Sequence, residues 1–418
     1  MRESKGVAGP KPAGLGASQG RENFGLTKPK LFLTDFTLFF FTLFMLVSNY
    51  MKKIIPIFCA VVFIFALNVN TIHAQTFSNP LQISAWIPYW TKTDGTKSAS
   101  DHISYFNELN PFSFEVQPDG TIKDALKLTQ SPWTELIQKA KIYNVNIVPT
   151  FLWTGPTAMK NVFTDISATN NHINAIIKAA QSINATGVDI DYEGKRMEDK
   201  ALYAQFMRKL STALKQKGMT LSCTIEGSST ASPSARLLTL KATSPWSNDL
   251  KTLNEVCDVV RVMAYDQMAQ TTTSTWNAKD KTFYAPNADI SWVRKVLEYN
   301  LRYIDKNKLV LGVPTYGWNT KVTKSKKGGY DYEIMKSMSY VDSVQLAKDN
   351  NITPHRDATG ELSFSYVKDG EQRIVFFSDA YSVQLALEAA KKYNIKGVSL
   401  FKLDGKEDFG IWQVLALK

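Results

Sequence analysis

From about residue 80 onward the chain alternates short runs of apolar, β-branched and aromatic residues with longer segments whose apolar positions recur at helical spacing. Eight runs of the first kind stand out: Ile83 to Tyr89, Pro111 to Val116, Ile147 to Trp153, Thr186 to Tyr192, Thr220 to Ile225, Val259 to Ala264, Leu309 to Thr315 and Gly397 to Leu403. Between them the spacing predicts helices over Trp133 to Tyr143, Asn171 to Ile183, Lys200 to Lys217, Ile290 to Ile304 and Val383 to Tyr393. Strands of this kind alternating with helices are the sequence form of β/α units around a parallel sheet. Eight of them in about 340 residues predict an α/β fold of the (β/α)8 TIM-barrel type. An open doubly wound sheet is the alternative, but no Gly-rich phosphate loop follows the first run. Residues 317–377 exceed what a barrel loop needs. Alternation in Leu362 to Tyr366 and Ile374 to Phe377, around the turn-like Lys368-Asp369-Gly370, predicts a small α+β insertion between the seventh strand and the last long helix, walling one side of a cleft. The Lys- and Gly-rich stretch Thr320 to Gly329 reads as a mobile linker.

The fourth run breaks the apolar rule in a regular way. In Gly187-Val188-Asp189-Ile190-Asp191-Tyr192-Glu193 an acid stands at every second position. Side chains at i, i+2 and i+4 of a strand share a face, so Asp189, Asp191 and Glu193 point one way, and Val188, Ile190 and Tyr192 take the other, toward helices. Like charges this close cannot all ionise freely, so at least one carboxyl stays protonated near neutral pH and can act as a general acid. By spacing alone, such a row could equally be a metal-binding file or a solvated sheet face.

The N-terminal part differs in character. Met51-Lys52-Lys53, the apolar run Ile54 to Leu67 and the small-residue end Asn68 to Ala74 have the three parts of a secretory signal, with cleavage expected after Ala74. Residues 1–50 read as a non-native upstream extension, with translation starting at Met51. The other reading is a membrane tether through Leu31 to Ser48, which is just long enough to span. Either way the chain is expected to be exported, and 75–418 is the catalytic barrel. The whole chain carries a net charge of +11; without residues 1–74 it keeps 41 Lys/Arg against 35 Asp/Glu, a mild +6. No basic run of the nucleic-acid kind occurs, so no nucleic-acid partner is expected. Cys59 lies in the signal core, while Cys223 and Cys257 read as buried thiols in apolar surroundings, with one disulfide open to an exported protein. Four His without ligand spacing give no metal site, and no cofactor is expected.

Catalytic groups of such a barrel sit at the carboxyl ends of its strands, where Glu193 lies. Aromatic residues gather at the same ends: Tyr89, Phe114, Trp153, Tyr265, Tyr316 and Phe401, with Met263 and Asp266 beside them. Rings around an acidic centre suit a sugar, whose C–H faces stack while its hydroxyls seek hydrogen bonds. These residues also resemble glycoside hydrolase family 18. Gly187 to Glu193 is similar to that family's acid signature, Met263-Ala264-Tyr265-Asp266 to its sixth-strand motif and Leu311 to Gly317 to its seventh. Trp86 to Trp90, Pro111 to Phe114 and Val375 to Asp379 resemble the branch with bacterial spore-cortex and peptidoglycan hydrolases.

The resemblance implies a retaining, substrate-assisted hydrolase of β-1,4-linked N-acetylhexosamine polymers, peptidoglycan or chitin, acting as a monomer on a polysaccharide. Glu193 would be the acid and base, Asp191 would orient the acetamido group, Asp189 would share a proton with Asp191, and Tyr265 would donate to the acetamido group. Tyr89, Phe114, Trp153, Met263, Asp266, Tyr316 and Phe401 would contact substrate. The sequence departs from the family pattern at Thr186 in place of Asp, Phe401 in place of Trp and Ser378 in place of Glu. Glu226 either reaches the cleft or is a solvated loop acid. A catalytically silent, lectin-like barrel is the competing reading, and the intact Glu193 argues against it.

Overall fold

The computed structural model describes residues 80–232, 244–267, 283–325 and 330–416, apart from the side chain of Lys92. The signal and tether segments fall outside them. The strands are β1 (Gln82–Pro88), β2 (Glu108–Val116), β3 (Ile122–Asp124), β4 (Asn146–Ile147), β5 (Thr150–Trp153), β6 (Gly187–Tyr192), β7 (Thr220–Glu226), β8 (Val259–Met263), β9 (Leu309–Pro314), β10 (Tyr316–Lys324), β11 (Tyr330–Ser339), β12 (His355–Arg356), β13 (Leu362–Lys368), β14 (Glu371–Phe377) and β15 (Gly397–Phe401). Eight of these, in the order β1-β15-β9-β8-β7-β6-β5-β2, pair in parallel, and β1 also pairs with β2, which closes the barrel. The fold is a (β/α)8 barrel, and each of its eight staves coincides with one of the apolar runs.

The staves are buried on both sides. Val188, Ile190, Leu221, Cys223, Val260, Val262, Leu309 and Leu311 belong to one large core with the inward stripes of the surrounding helices, such as Tyr203, Phe206, Met207 and Leu210 of Lys200–Lys215. Capping sets where helices begin. Asp165 accepts a hydrogen bond from the Ala168 N–H, so the helix Ile166–Gln181 before β6 starts five residues ahead of the expected Asn171. Helices Lys92–Asp101, Pro156–Thr164, Leu250–Val256, Tyr340–Asp349 and Gly410–Ala416 complete the described set. Among the described residues, no helix is long and apolar enough to cross a membrane.

The insertion is a five-stranded antiparallel sheet, β11-β10-β14-β13-β12. Met338, Phe364, Tyr366, Val375 and Phe377 form a small core on one face with Ala347 of the helix Tyr340–Asp349. Val322, Ile374 and Phe376 pack on the other with Ala285. The expected mobile linker is corrected here in part: Thr320 to Lys324 are strand residues paired on both sides, with β11 and β14 along most of their length. Residues 326–329 lie outside the described residues.

Cys223 and Cys257 are bonded, with Cα atoms 6.1 Å apart, rather than free thiols. The bond joins β7 to the residue two before β8, neighbouring staves that no sequence spacing identifies. The loop it closes spans 34 positions, so replacing both cysteines by Ala should cost about 2–4 kcal/mol. Chemical denaturation of the two forms under matched conditions measures this.

Candidate active site

Every residue of β6 is buried, and strand parity decides what each meets. Val188, Ile190 and Tyr192 face the helices. The Tyr192 hydroxyl meets His172 Nε2 at 2.7 Å, and His172 Nδ1 meets the Gly120 carbonyl at 2.6 Å. Burial holds His172 down to about 4, against the pull of that carbonyl, so the imidazole behind the strand is neutral. Asp189 takes the other parity and lies in the barrel interior. Its Oδ1 accepts from the Ser222 hydroxyl at 2.7 Å and Thr224 at 2.8 Å, and its Oδ2 from Thr150 at 2.9 Å and Trp86 Nε1 at 3.1 Å. Arg261 of β8 stands 3.8 Å away, its guanidinium bonded to Ser222, Ser84 and the Glu108 carboxylate and placed over the Trp86 ring. Asp189 is thus fully hydrogen-bonded in the floor of the bowl.

Asp191, one step up, is treated in the opposite way. Its Oδ1 is buried with no hydrogen-bond partner. Burial first, then Glu193, Asp189 and Glu226, raise its carboxyl well above the usual range, with only Lys195 opposing. The proton sharing expected between Asp189 and Asp191 has no hydrogen bond to carry it here, since Asp189's bonds run to Trp86, Thr150, Ser222 and Thr224. Glu193, just past the strand end, is half-buried, and its N–H donates to the Trp153 carbonyl at 2.8 Å. Burial, the neighbouring Glu226 and Asp266 push it up to about 7, against Lys195. Tyr265 follows β8, and burial together with Asp191, Asp266, Glu193 and Asp189 raises its hydroxyl far above its usual range, so it remains a donor. Its ring needs Gly312: a Cβ there would lie 3.0 Å from Tyr265 Cε1 and 2.8 Å from the Val262 carbonyl oxygen.

Aromatic rings surround these groups. Phe401 stacks on Tyr265 with centroids 5.2 Å apart and meets Trp86, Trp90, Phe112 and Tyr316 edge-on. Trp90 is 47 % exposed at the rim, beside the half-buried Tyr89. Asp266, at a positive φ of 55°, accepts from the Tyr316 hydroxyl at 2.5 Å and from Trp318 Nε1 at 2.8 Å. Met263 ends β8 half-buried, paired with Glu226.

Two expected contacts are elsewhere. Phe114 and Trp153 are buried against helices, Phe114 stacked on Phe151 and Trp153 edge-on to Tyr192, Phe163 and His172. The register between β2 and β5 shifts between Phe112 and Phe114, so Phe112 turns to the cleft and Phe114 away. Trp153 pairs with Tyr192 and shares its outward parity, leaving Leu152 beside Asp191. Thr186 is exposed below the strand, far from the acids along it. Ser378, where the family pattern has Glu, donates at 3.3 Å to Glu361, a buried carboxyl raised to about 7 by burial. Glu361 accepts from the Asn287 and Ala288 N–H groups, and the Asn287 side chain in turn binds the Asp266 N–H. The sequence reading assigned no role to Trp86, Arg261 or Glu361. Arg261 had left a signal, a single charge inside Val259 to Met263, and Trp86 opens the motif Trp86 to Trp90. Among the described residues no group of three His, Cys, Asp or Glu is placed to hold a metal.

These positions separate packing from binding. Trp153→Ala should lose about 3–5 kcal/mol of stability, whereas Phe401→Ala should mainly raise KM. Denaturant melts and steady-state kinetics on the same two variants distinguish the roles.

The family model of glycosyl hydrolases family 18 matches residues 85–406. The cortical fragment-lytic enzyme of Bacillus anthracis is 26 % identical over 323 residues, covering 74 % of this chain and 67 % of that enzyme. An uncharacterized glycosylase of Bacillus subtilis is 24 % identical over 328 residues, 77 % of this chain and 88 % of that protein. The crystal structure of a spore cortex-lytic enzyme of Bacillus megaterium shares the fold with a TM-score of 0.64 at 21 % identity, covering 80 % of this chain and 73 % of that one. The acid row inside a closed barrel and the family match over most of the chain lead to one conclusion: this protein belongs to glycosyl hydrolases family 18 and is a glycosidase.

Proposed function

We propose that this glycosidase is exported and cleaves β-1,4-linked N-acetylhexosamine polymers, of peptidoglycan or chitin type, with retention and with the substrate's own acetamido group as nucleophile. The observation that carries the reading is the buried, unpartnered Oδ1 of Asp191 between a fully bonded Asp189 and a half-buried Glu193. A buried carboxyl oxygen without a donor is costly, and an acetamido N–H is a donor of the right kind. Glu193 gives its proton to the glycosidic oxygen as the acetamido carbonyl oxygen attacks the anomeric carbon. The C–O bond to the leaving sugar breaks, and a cyclic cationic intermediate forms. Asp191 accepts from the acetamido N–H through Oδ1, while the Tyr265 hydroxyl donates to the carbonyl oxygen. Glu193, now a carboxylate, takes a proton from the water that opens the intermediate. Relatives named for cortex lysis support the peptidoglycan side, and structural neighbours named chitinases the chitin side.

Export is supported by the signal-like segment ending at Ala74 and by the Cys223–Cys257 bond, which suits an oxidising compartment. Protein recovered from culture medium or envelope should begin at Gln75 on N-terminal sequencing.

The tests use purified peptidoglycan and chito-oligosaccharides with mass-spectrometric analysis of products. Glu193→Gln should lower kcat by about 10²- to 10⁴-fold; equal sugar release by wild type and variant sinks the assignment. The acid must be protonated, and its carboxyl is raised to about 7 by burial and then Glu226. Activity should therefore be lost as pH rises through about 7, giving the basic limb of the rate profile.

A further inference from the structure

Beside the proton donor lies an ion pair that the reaction steps above do not use. The β6–β7 ladder ends with Asp191 paired to Thr224; two residues further on, Glu226 closes β7 and Glu193 stands just past the end of β6. Neighbouring strands are about 4.8 Å apart. Glu226 is fixed from three directions. Lys195 Nζ approaches its Oε2 to 3.4 Å, the Asn248 amide donates to that oxygen at 3.0 Å, and the Ser244 hydroxyl donates to Oε1. Lys195 is itself almost wholly buried, donates to the Tyr192 carbonyl and sits 4.9 Å from the centre of the Tyr203 ring. A buried charge pair with this many supporting bonds costs desolvation that two apolar side chains would avoid. Its position two residues past the acid gives it an electrostatic task.

We propose that the Lys195–Glu226 pair is a positioning element for Glu193: the carboxylate of Glu226, anchored by Lys195, Ser244 and Asn248, holds a fixed negative charge beside Glu193 and keeps the proton on it between turnovers. Its catalytic meaning rests on Glu193 being the donor named above. Among the described residues, the groups that enter the balance at Glu193 are Asp191 on its own strand, Glu226 on β7, Lys195 on the following turn, and Tyr265 and Asp266 beyond β8. Burial pushes the Glu226 carboxyl up, but Lys195, Ser244 and Asn248 together bring it below its usual range, so it stays charged. For Glu193, Glu226 outweighs the opposing Lys195.

The test titrates Glu193 directly, by carbon NMR of the full chain labelled at glutamate carboxyl groups, with the Glu193→Gln spectrum assigning the resonance. Wild type should titrate near 7. Glu226→Gln should lower that midpoint by about half a pH unit or more. Lys195→Met/Glu226→Gln, which leaves no buried charge unpaired, should fall between the two and remains informative if the single variant does not fold. Glu226→Asp, which keeps the charge, should restore most of the wild-type midpoint. A Glu193 midpoint unmoved in the first two variants overturns the proposal, as does one that rises. Activity of Glu193→Gln at the wild-type level would instead remove the donor reading while leaving the titration result to stand by itself.

Discussion

Carboxylates stacked in a low-dielectric barrel must each be neutralised, bonded or kept protonated, and this requirement organises the interior. At the floor, Asp189 is bonded by donors drawn from β1, β5 and β7, with Arg261 of β8 alongside. That need explains why the inward positions of β5 and β7 carry Thr150, Ser222 and Thr224, while the Val, Ile and Leu of the staves face the helices. Arg261 brings a second obligation, met by Ser84 and Glu108, whose own carboxyl burial raises even though Arg261 pulls it down. Up the strand the treatment changes from saturated at 189 to unpartnered at 191 to half-exposed at 193. The site therefore grades from a carboxyl held by four hydrogen bonds to a proton-bearing acid.

The rim depends on the same economy of hydrogen bonds. Asp266 bonds both Tyr316 and Trp318, and its backbone is held through Asn287 by Glu361 of the insertion. A carboxyl absent from position 378 reaches that place from residue 361, just before the neighbouring strand β13. The Tyr316 and Trp318 rings are thus set by a chain of contacts from the inserted sheet, through a barrel loop, to the end of β8.

The eight staves were legible because each is apolar enough to be buried on both faces, and the acid row because period two survives in a single strand. Phe114 and Trp153 were misplaced for a physical reason. Lying near the end of a strand says nothing of which face a ring takes, and in β2 the register shift beside Ser113 reverses the phase between Phe112 and Phe114. The disulfide was illegible because proximity of Cys223 to Cys257 arises only when β7 and β8 pair. Glu226 was left between cleft and solvent because its fate rests on Lys195, Ser244 and Asn248, whose convergence is tertiary. Helices such as Lys92–Asp101 carry so little apolar periodicity that only packing against the barrel fixes them.

One residue, Thr315, separates the end of β9 from the start of β10. Its N–H donates to the Phe401 carbonyl, and its hydroxyl both donates to the Lys402 carbonyl and accepts from the Lys402 N–H. The inserted sheet is thereby an outgrowth of a stave, clamped where it leaves the barrel, with no swivel at its root. A polymer lying along this bank meets a ready-made kerb, and none of its association free energy is diverted to folding that bank inward.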